Sequence, residues 1–322
     1  MKLVRVALTC VLLVLASTSG QQARAADKVV AGSLGGQAPL WAIYVAMHKG
    51  FFAAEGLDLE LNFAQSGAAV TQQLTGGSLD VALSVGISDP IHAIEKGAPL
   101  ALIRIVGNSA PYVLIAKPNI KTFADLKGKT ISSGAINDVA NNYLIRMLEG
   151  NGLKKGDYEI ISAGVAAARF AALKAGVADA AIVLPPLNFV ANAGGFKTIG
   201  FAADFVKDMP FTGMAVHRRW AAANMSTAKR VLAATDKSVA WLADPANRAE
   251  AIELLVKHAR STKEDAEASY DFLRRINYFE PGSKISRRKL QNVIDSEKAV
   301  GQLDKAFTYE RVALPGLTEF TD

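Results

Sequence analysis

The chain has 322 residues, half of them hydrophobic and a fifth charged. That composition can fill a core, and because no long stretch lacks aliphatic residues it excludes a disordered chain. The length suits one large domain or two of about 150 residues. The 36 basic residues only modestly outnumber the 30 acidic ones and are scattered, so no nucleic-acid-binding face is indicated.

The first 25 residues follow a logic of their own. Lys2 and Arg5 give a positive start, residues 6–16 form an apolar run, and Ala23-Arg24-Ala25 has the small-x-small form of a cleavage site. This predicts a secretory signal peptide over 1–25, since the run is far shorter than the roughly 20 apolar residues needed to span a bilayer. Cleavage would remove Lys2, Arg5 and Arg24, leaving a mature charge of +3, a weak pointer to an anionic ligand. It would also remove Cys10, the single cysteine. Disulfides, thiol catalysis and cysteine metal sites are then excluded, and the position of Cys10 ahead of the small-residue site argues against a lipid anchor.

From Asp27 onward short apolar runs alternate with helical patterns. Residues 28–32, 57–63, 80–84 and 100–106 read as strands, with helices over 40–49, 67–76 and 89–96 between them. A second set opens at 112–117. It continues with a short capped helix over 122–128, strands over 129–132, 158–162 and 178–184, and helices over 138–150 and 166–175. This alternation predicts an α/β fold of mainly parallel sheets flanked by helices. Gly150, Gly152 and Gly176 fall where helices should stop, as left-handed caps require.

An internal echo suggests two lobes of similar build. Leu74-x-x-Gly77-x-x-Asp80-x-Ala82 recurs as Leu173-x-x-Gly176-x-x-Asp179-x-Ala181, and Leu59-Glu60-Leu61 matches Tyr158-Glu159-Ile160 at the same offset. After Met214-Ala215-Val216 the pattern turns helical over 226–242, 245–259, 263–274 and 286–300. Thr262 and Ser286 are plausible N-caps there, and Pro245 suits a first helical turn. This C-terminal quarter is expected to pack on the lobes.

Further residues carry a family resemblance. Pro39-Leu40-Trp41, Lys49-Gly50-Phe51-Phe52 and Glu55-Gly56-Leu57, then Gly77-Ser78-Leu79-Asp80-Val81-Ala82, then Ile120-x-x-Phe123-Ala124-Asp125-Leu126-Lys127-Gly128-Lys129 follow one another in order. Together they resemble the nitrate/sulfonate/taurine-type substrate-binding proteins of ABC importers, over residues 29–220. The resemblance implies a two-lobed, type II periplasmic binding fold joined by two crossing strands. The first lobe would be 26–108 plus 212–322 and the second 109–211. It also implies a periplasmic location, a small-molecule ligand held between the lobes, and a membrane permease with a cytoplasmic ATPase as partner. A monomer is expected, with no cofactor.

In open parallel sheets, ligands sit beyond the carboxyl ends of strands, where helix-initiating loops present free N–H groups. Those loops supply the candidates. In the first lobe they are Gln37 and Trp41, either a stacking ring or a buried helix aromatic; Ser66 and Gly67, with Ser66 also a plausible N-cap; Ser84, Gly86 and Ser88; and Asn108 at the crossing. Asp89 reads mainly as helix-start charge. In the second lobe they are Ser133, Asn137 and Asn141; Val165 and Arg169; and Pro185, an apolar wall. Arg169 could pair with a carboxylate in the bidentate manner of arginine, although a solvated surface arginine is the ordinary alternative. Asp138 either caps a helix or repels an anion. Sulfonate-binding relatives tend to carry a His-Asn-like pair near this turn, where the chain has Asn141-Asn142 and a longer loop. The favoured ligand is a small organic acid, a carboxylate or sulfonate.

Rival readings are a sensory binding protein reporting to a receptor, separable by a neighbouring permease gene, and a thiamine-pyrimidine-related binding protein or enzyme of the same fold. The enzyme depends on a cysteine-rich motif the mature chain lacks. His48, His92, His217 and His258 are far apart, without metal-ligand spacing. Neither a nucleophile elbow nor a Walker loop occurs, so catalysis is not expected.

Overall fold

The computed structural model describes residues 25–322 except Gly36, Ser283 and Val300; the proposed signal peptide with Cys10 lies outside them but for Ala25. The first set of elements runs β1 (Asp27–Leu34), α1 (Trp41–His48), α2 (Phe51–Ala54), β2 (Leu57–Ala64), α3 (Gly67–Thr75), β3 (Val81–Gly86), α4 (Ser88–Glu95) and β4 (Leu100–Gly107). The second runs β5 (Val113–Ala116), β6 (Thr130–Ser133), α5 (Val139–Glu149), β7 (Glu159–Ser162), α6 (Ala166–Lys174), β8 (Ala180–Val183), α7 (Leu187–Ala193), β9 (Lys197–Phe201) and α8 (Ala202–Phe205). The third is β10 (Thr212–His217), α9 (Arg218–Ala223), α10 (Met225–Ala243), α11 (Arg248–Ala259), α12 (Lys263–Arg275), β11 (Ile285–Ser286), α13 (Arg287–Ala299) and β12 (Phe320–Thr321).

Two five-stranded sheets share one plan. Their orders are β2-β1-β3-β10-β4 and β7-β6-β8-β5-β9. In each, three parallel strands adjoin a fourth that runs antiparallel to both its neighbours, β10 in one and β5 in the other. The antiparallel strand of the first sheet therefore comes from beyond the second sheet in sequence, which makes the chain cross twice. β3 and β4 are buried along their whole length, as strands covered on both faces should be.

The sequence echo has a structural cause. Leu74 and Leu173 are buried at the ends of equivalent helices, and Gly77 and Gly176 both stand at φ +77°, a left-handed conformation that glycine adopts without penalty. Asp80 exchanges backbone bonds with β1, its N–H donating to Val30 O while its carboxylate accepts from Val30 N. Asp179 does the same with Thr130 of β6. The motif thus ties a helix end to the neighbouring parallel strand in both lobes.

Two local expectations change. Residues 122–128 form only a short 3-10 turn, Ala124–Leu126, because Asp125 folds back to accept from Lys121 N and Thr122 N. Gly150 ends α5 in right-handed conformation, and the left-handed turn falls on Gly152 instead.

The C-terminal helices form as expected, and the hydroxyls of Thr262 and Ser286 accept from Asp265 N and Lys289 N. One face of α10 is buried at Thr227, Val231, Ala234, Thr235, Ser238 and Leu242, the spacing of an amphipathic helix. The last helices span both lobes rather than covering one. The Phe272 ring of α12 meets Phe201 of the second sheet, and Tyr278 meets Phe211 at the crossing. On α13, Glu297 is 2% exposed. It pairs with His92 at 2.8 Å and accepts from Ser88 on one side, and from Asn142 of α5 at 3.4 Å on the other. Arg288 of the same helix reaches Asp208 at 2.8 Å. No helix among the described residues is long and apolar enough to cross a membrane.

Candidate functional site

A small cavity of about 50 Å³ lies between the two sheets. Its walls come from the carboxyl ends of all six parallel strands: Leu34 and Gln37 after β1, Ser66 and Gly67 after β2, Ser84, Gly86 and Asp89 at β3, Asp138 and Val139 after β6, Gly164, Val165 and Arg169 after β7, and Leu184 after β8. Pro39 and Leu40 add to the first-lobe wall, and Tyr112, Phe211 and Thr212 complete it. Tyr112 and Phe211 directly precede β5 and β10 and Thr212 opens β10, and an antiparallel strand brings its amino end to the edge where its parallel neighbours finish. The lobes touch here. Ala38 N donates to Pro185 O at 3.0 Å, and a Cβ on Gly86 would stand 2.7 Å from Val139 Cγ1 across the gap. The larger 790 Å³ groove beside Asn108, Lys207 and Arg275 is more open to the surface.

Seven sequence candidates line the cavity: Gln37, Ser66, Gly67, Ser84, Gly86, Val165 and Arg169. Ser66 also caps α3, accepting from Ala69 N at 3.1 Å. The other seven lie elsewhere. Trp41 is 0% exposed; it donates from Nε1 to Ala251 O at 2.7 Å and meets Tyr270 edge-on, so it belongs to the packing of α1 against α11 and α12. Ser88 is turned away to Glu297. Asn108 lines the outer groove, its N–H donating to Tyr278 O. Ser133 is buried within β6, Asn137 is exposed on an outer hollow, and Asn141 donates to Ile136 O to hold its own loop. Pro185 gives its carbonyl to the contact between lobes rather than its ring to the cavity. Sequence reading passed over Tyr112, Phe211 and Thr212, whose signal was their place at or just before the start of the two crossing strands, and gave Asp89 a merely local role.

Three polar groups around the cavity stand out. In Ser84 (2% exposed) and Arg169 (4% exposed), the Oγ and Nε atoms are buried with no hydrogen-bond partner among the described residues, a costly condition in a folded protein. Arg169 is otherwise anchored, Nη1 donating to Ile182 O at 3.1 Å and the guanidinium lying 5.6 Å from the Tyr112 ring centre. The Asp89 carboxylate is seated against Gly67, where a Cβ would come within 2.1 Å of Oδ2. Burial pushes the Asp89 carboxyl up to about 7, with repulsion from Asp138 adding to it and His92 opposing. Burial also raises Asp138, against the pull of Arg169 and of its backbone donors. Asp138 caps α5, accepting from Ala135 N and Asn141 N at 2.9 Å each. The arrangement can bind a small polar solute from both sides.

Comparison with known proteins fits this geometry. The alkanesulfonate-binding protein SsuA of Xanthomonas axonopodis pv. citri, solved bound to MOPS, has TM-score 0.74 and 20% identity over 91% of this chain and 98% of that one. The periplasmic nitrate-binding protein NrtA of Synechocystis PCC 6803 has TM-score 0.72 and 17% identity over 87% and 83%. These likenesses give the two-lobed periplasmic binding protein fold. Among sequence relatives, a Brucella abortus protein that carries a binding-protein name is 25% identical over 226 residues, 69% of each chain. The formylaminopyrimidine-binding protein of Halalkalibacterium halodurans is 33% identical over 119 residues, 36% of this chain and 34% of that one. A Haemophilus influenzae relative named for thiamine biosynthesis is matched over only 38% of its length. Residues 38–249 match the family described as NMT1/THI5 like, and the chain belongs to that family.

Proposed function

We propose that this chain is the periplasmic solute-binding component of an ABC importer, capturing a small organic solute between its lobes and presenting it to a membrane permease driven by a cytoplasmic ATPase. The lobes are 26–108 with 212–322, and 109–211; the protein acts as a monomer and binds without catalysis. The observation that carries this reading is the convergence of six strand ends on one cavity where Ser84 Oγ and Arg169 Nε lack hydrogen-bond partners among the described residues. The solute presents an acid or other acceptor group to Arg169. A pyrimidine is the second reading, favoured by the formylaminopyrimidine-binding relative.

Thermal-shift screening against organic acids, sulfonates and nitrogen heterocycles tests it. A true solute at 100 times its Kd should stabilise the protein by roughly 2.7 kcal/mol. Arg169→Ala should weaken that solute at least tenfold while the protein still melts cooperatively. Absence of any shift across the panel, or unchanged affinity in the variant, would count against the assignment.

A further inference from the structure

Asp89 poses a question that capture of a simple anion leaves unanswered. It lines the same cavity as Arg169 and Ser84, yet accepts no hydrogen bond from any described residue. Gly67 keeps a side chain out of the space its carboxylate occupies. Asp138, the second acid of the wall, is already spent on two backbone donors. Arg169 is the only cation among the described residues that line the cavity, and part of its guanidinium is committed to Ile182 O. When both acids are ionised, two carboxylates against one guanidinium is the wrong balance for a bare oxyanion in a space with little water, where like charges repel strongly.

We propose, building on the capture reading above, that Asp89 is the specificity-determining residue of this cavity and that the solute carries an N–H donor, as an amine, amidine or amino-substituted heterocycle does, beside the acceptor group that faces Arg169 and Ser84. Donor and acceptor ends of one small molecule would then satisfy all three groups, whereas nitrate would satisfy the arginine and bring no donor to Asp89. The raised carboxyl of Asp89 agrees with this, because a nitrogen donor returns what burial removed.

The test uses probes that differ by one amino group: propionate against β-alanine, pyrimidine against 4-aminopyrimidine, with nitrate as the bare oxyanion. Affinities would be measured by titration calorimetry for the full protein and for Asp89→Asn, whose fold is checked by circular dichroism and melting. The amino member of at least one pair should bind ten times or more tighter than its partner, and Asp89→Asn should cut that preference to about twofold. Binding of nitrate, propionate or pyrimidine as tight as that of the amino-bearing probes would overturn the role of Asp89 and leave solute capture standing. An amino preference that survives in Asp89→Asn would likewise overturn it. Silence toward every probe, nitrate included, would overturn both.

Discussion

Gly86→Ala should weaken ligand binding by wedging the lobes apart. The added Cβ would lie 2.7 Å from Val139 Cγ1, 3.4 Å from Val139 Cβ and 3.7 Å from Asp89 Oδ2. Carbon atoms in good contact stand ~3.5–4.0 Å apart, so the Val139 methyl must retreat by most of an ångström. Gly86 ends β3 in the first sheet and Val139 begins α5 against the second, which makes the clash one between lobes. Overpacking of this kind costs ~1–3 kcal/mol. With the lobes parted the new methyl meets no Val139, so the whole cost falls on closure and affinity should drop about 5- to 150-fold. Calorimetry measures the affinity, and the melting temperature of the ligand-free protein should hold to within about 2 °C. Adding Val139→Ala should restore much of the loss, which separates a wedge from a methyl that merely crowds the ligand. Unchanged affinity, or a double variant as weak as Gly86→Ala alone, would refute the reasoning.

Trp41→Phe removes the Nε1–Ala251 O bond in the buried packing of α1; it should lower stability by ~1 kcal/mol and leave ligand affinity untouched, as calorimetry and chemical denaturation would show. At the α13 junction, partial burial of His92 works against its charge, but its contact with Glu297 holds its pKa above 6.5. A histidine raised in the fold adds stability that is complete below pH 6.5 and fades as pH climbs through the folded value. Asp89, held at about 7, slopes the same way, since its ionisation between pH 3.8 and 7 is penalised in the fold. Melting temperatures should therefore fall from pH 5 to 8, Glu297→Gln flattening the upper part of the slope and Asp89→Asn the lower. Profiles that parallel the wild type would contradict these assignments.

The fold was legible because its signals are local and repeated. Period, caps and turn glycines marked the main strands and helices up to β8 and the long C-terminal helices, while α7, β9, α8 and β10 went unread; the paired Asp80 and Asp179 motifs revealed the two lobes through a bond each makes to its neighbouring parallel strand. The site was half legible. Parallel strands deliver their following loops to the ligand edge, so Gln37, Ser66, Ser84 and Arg169 followed from topology alone. Tyr112 and Thr212 escaped because only the antiparallel course of β5 and β10, a long-range fact, brings their amino ends to the same place. Ser88 and Trp41 show the opposite failure. Loop chemistry made both look like ligand groups, but the C-terminal helices, far off in sequence, claim them through Glu297 and Ala251. Asp89 read as a helix-start charge because its lack of a hydrogen-bond donor among the described residues exists only in three dimensions.

Small-angle X-ray scattering of the purified protein, with and without the solute that gives the largest thermal shift, tests the central claim most directly. Capture between lobes requires the radius of gyration to fall on binding, and the fall to be blunted in Gly86→Ala at equal saturation. Saturated binding with superimposable scattering curves would contradict the account.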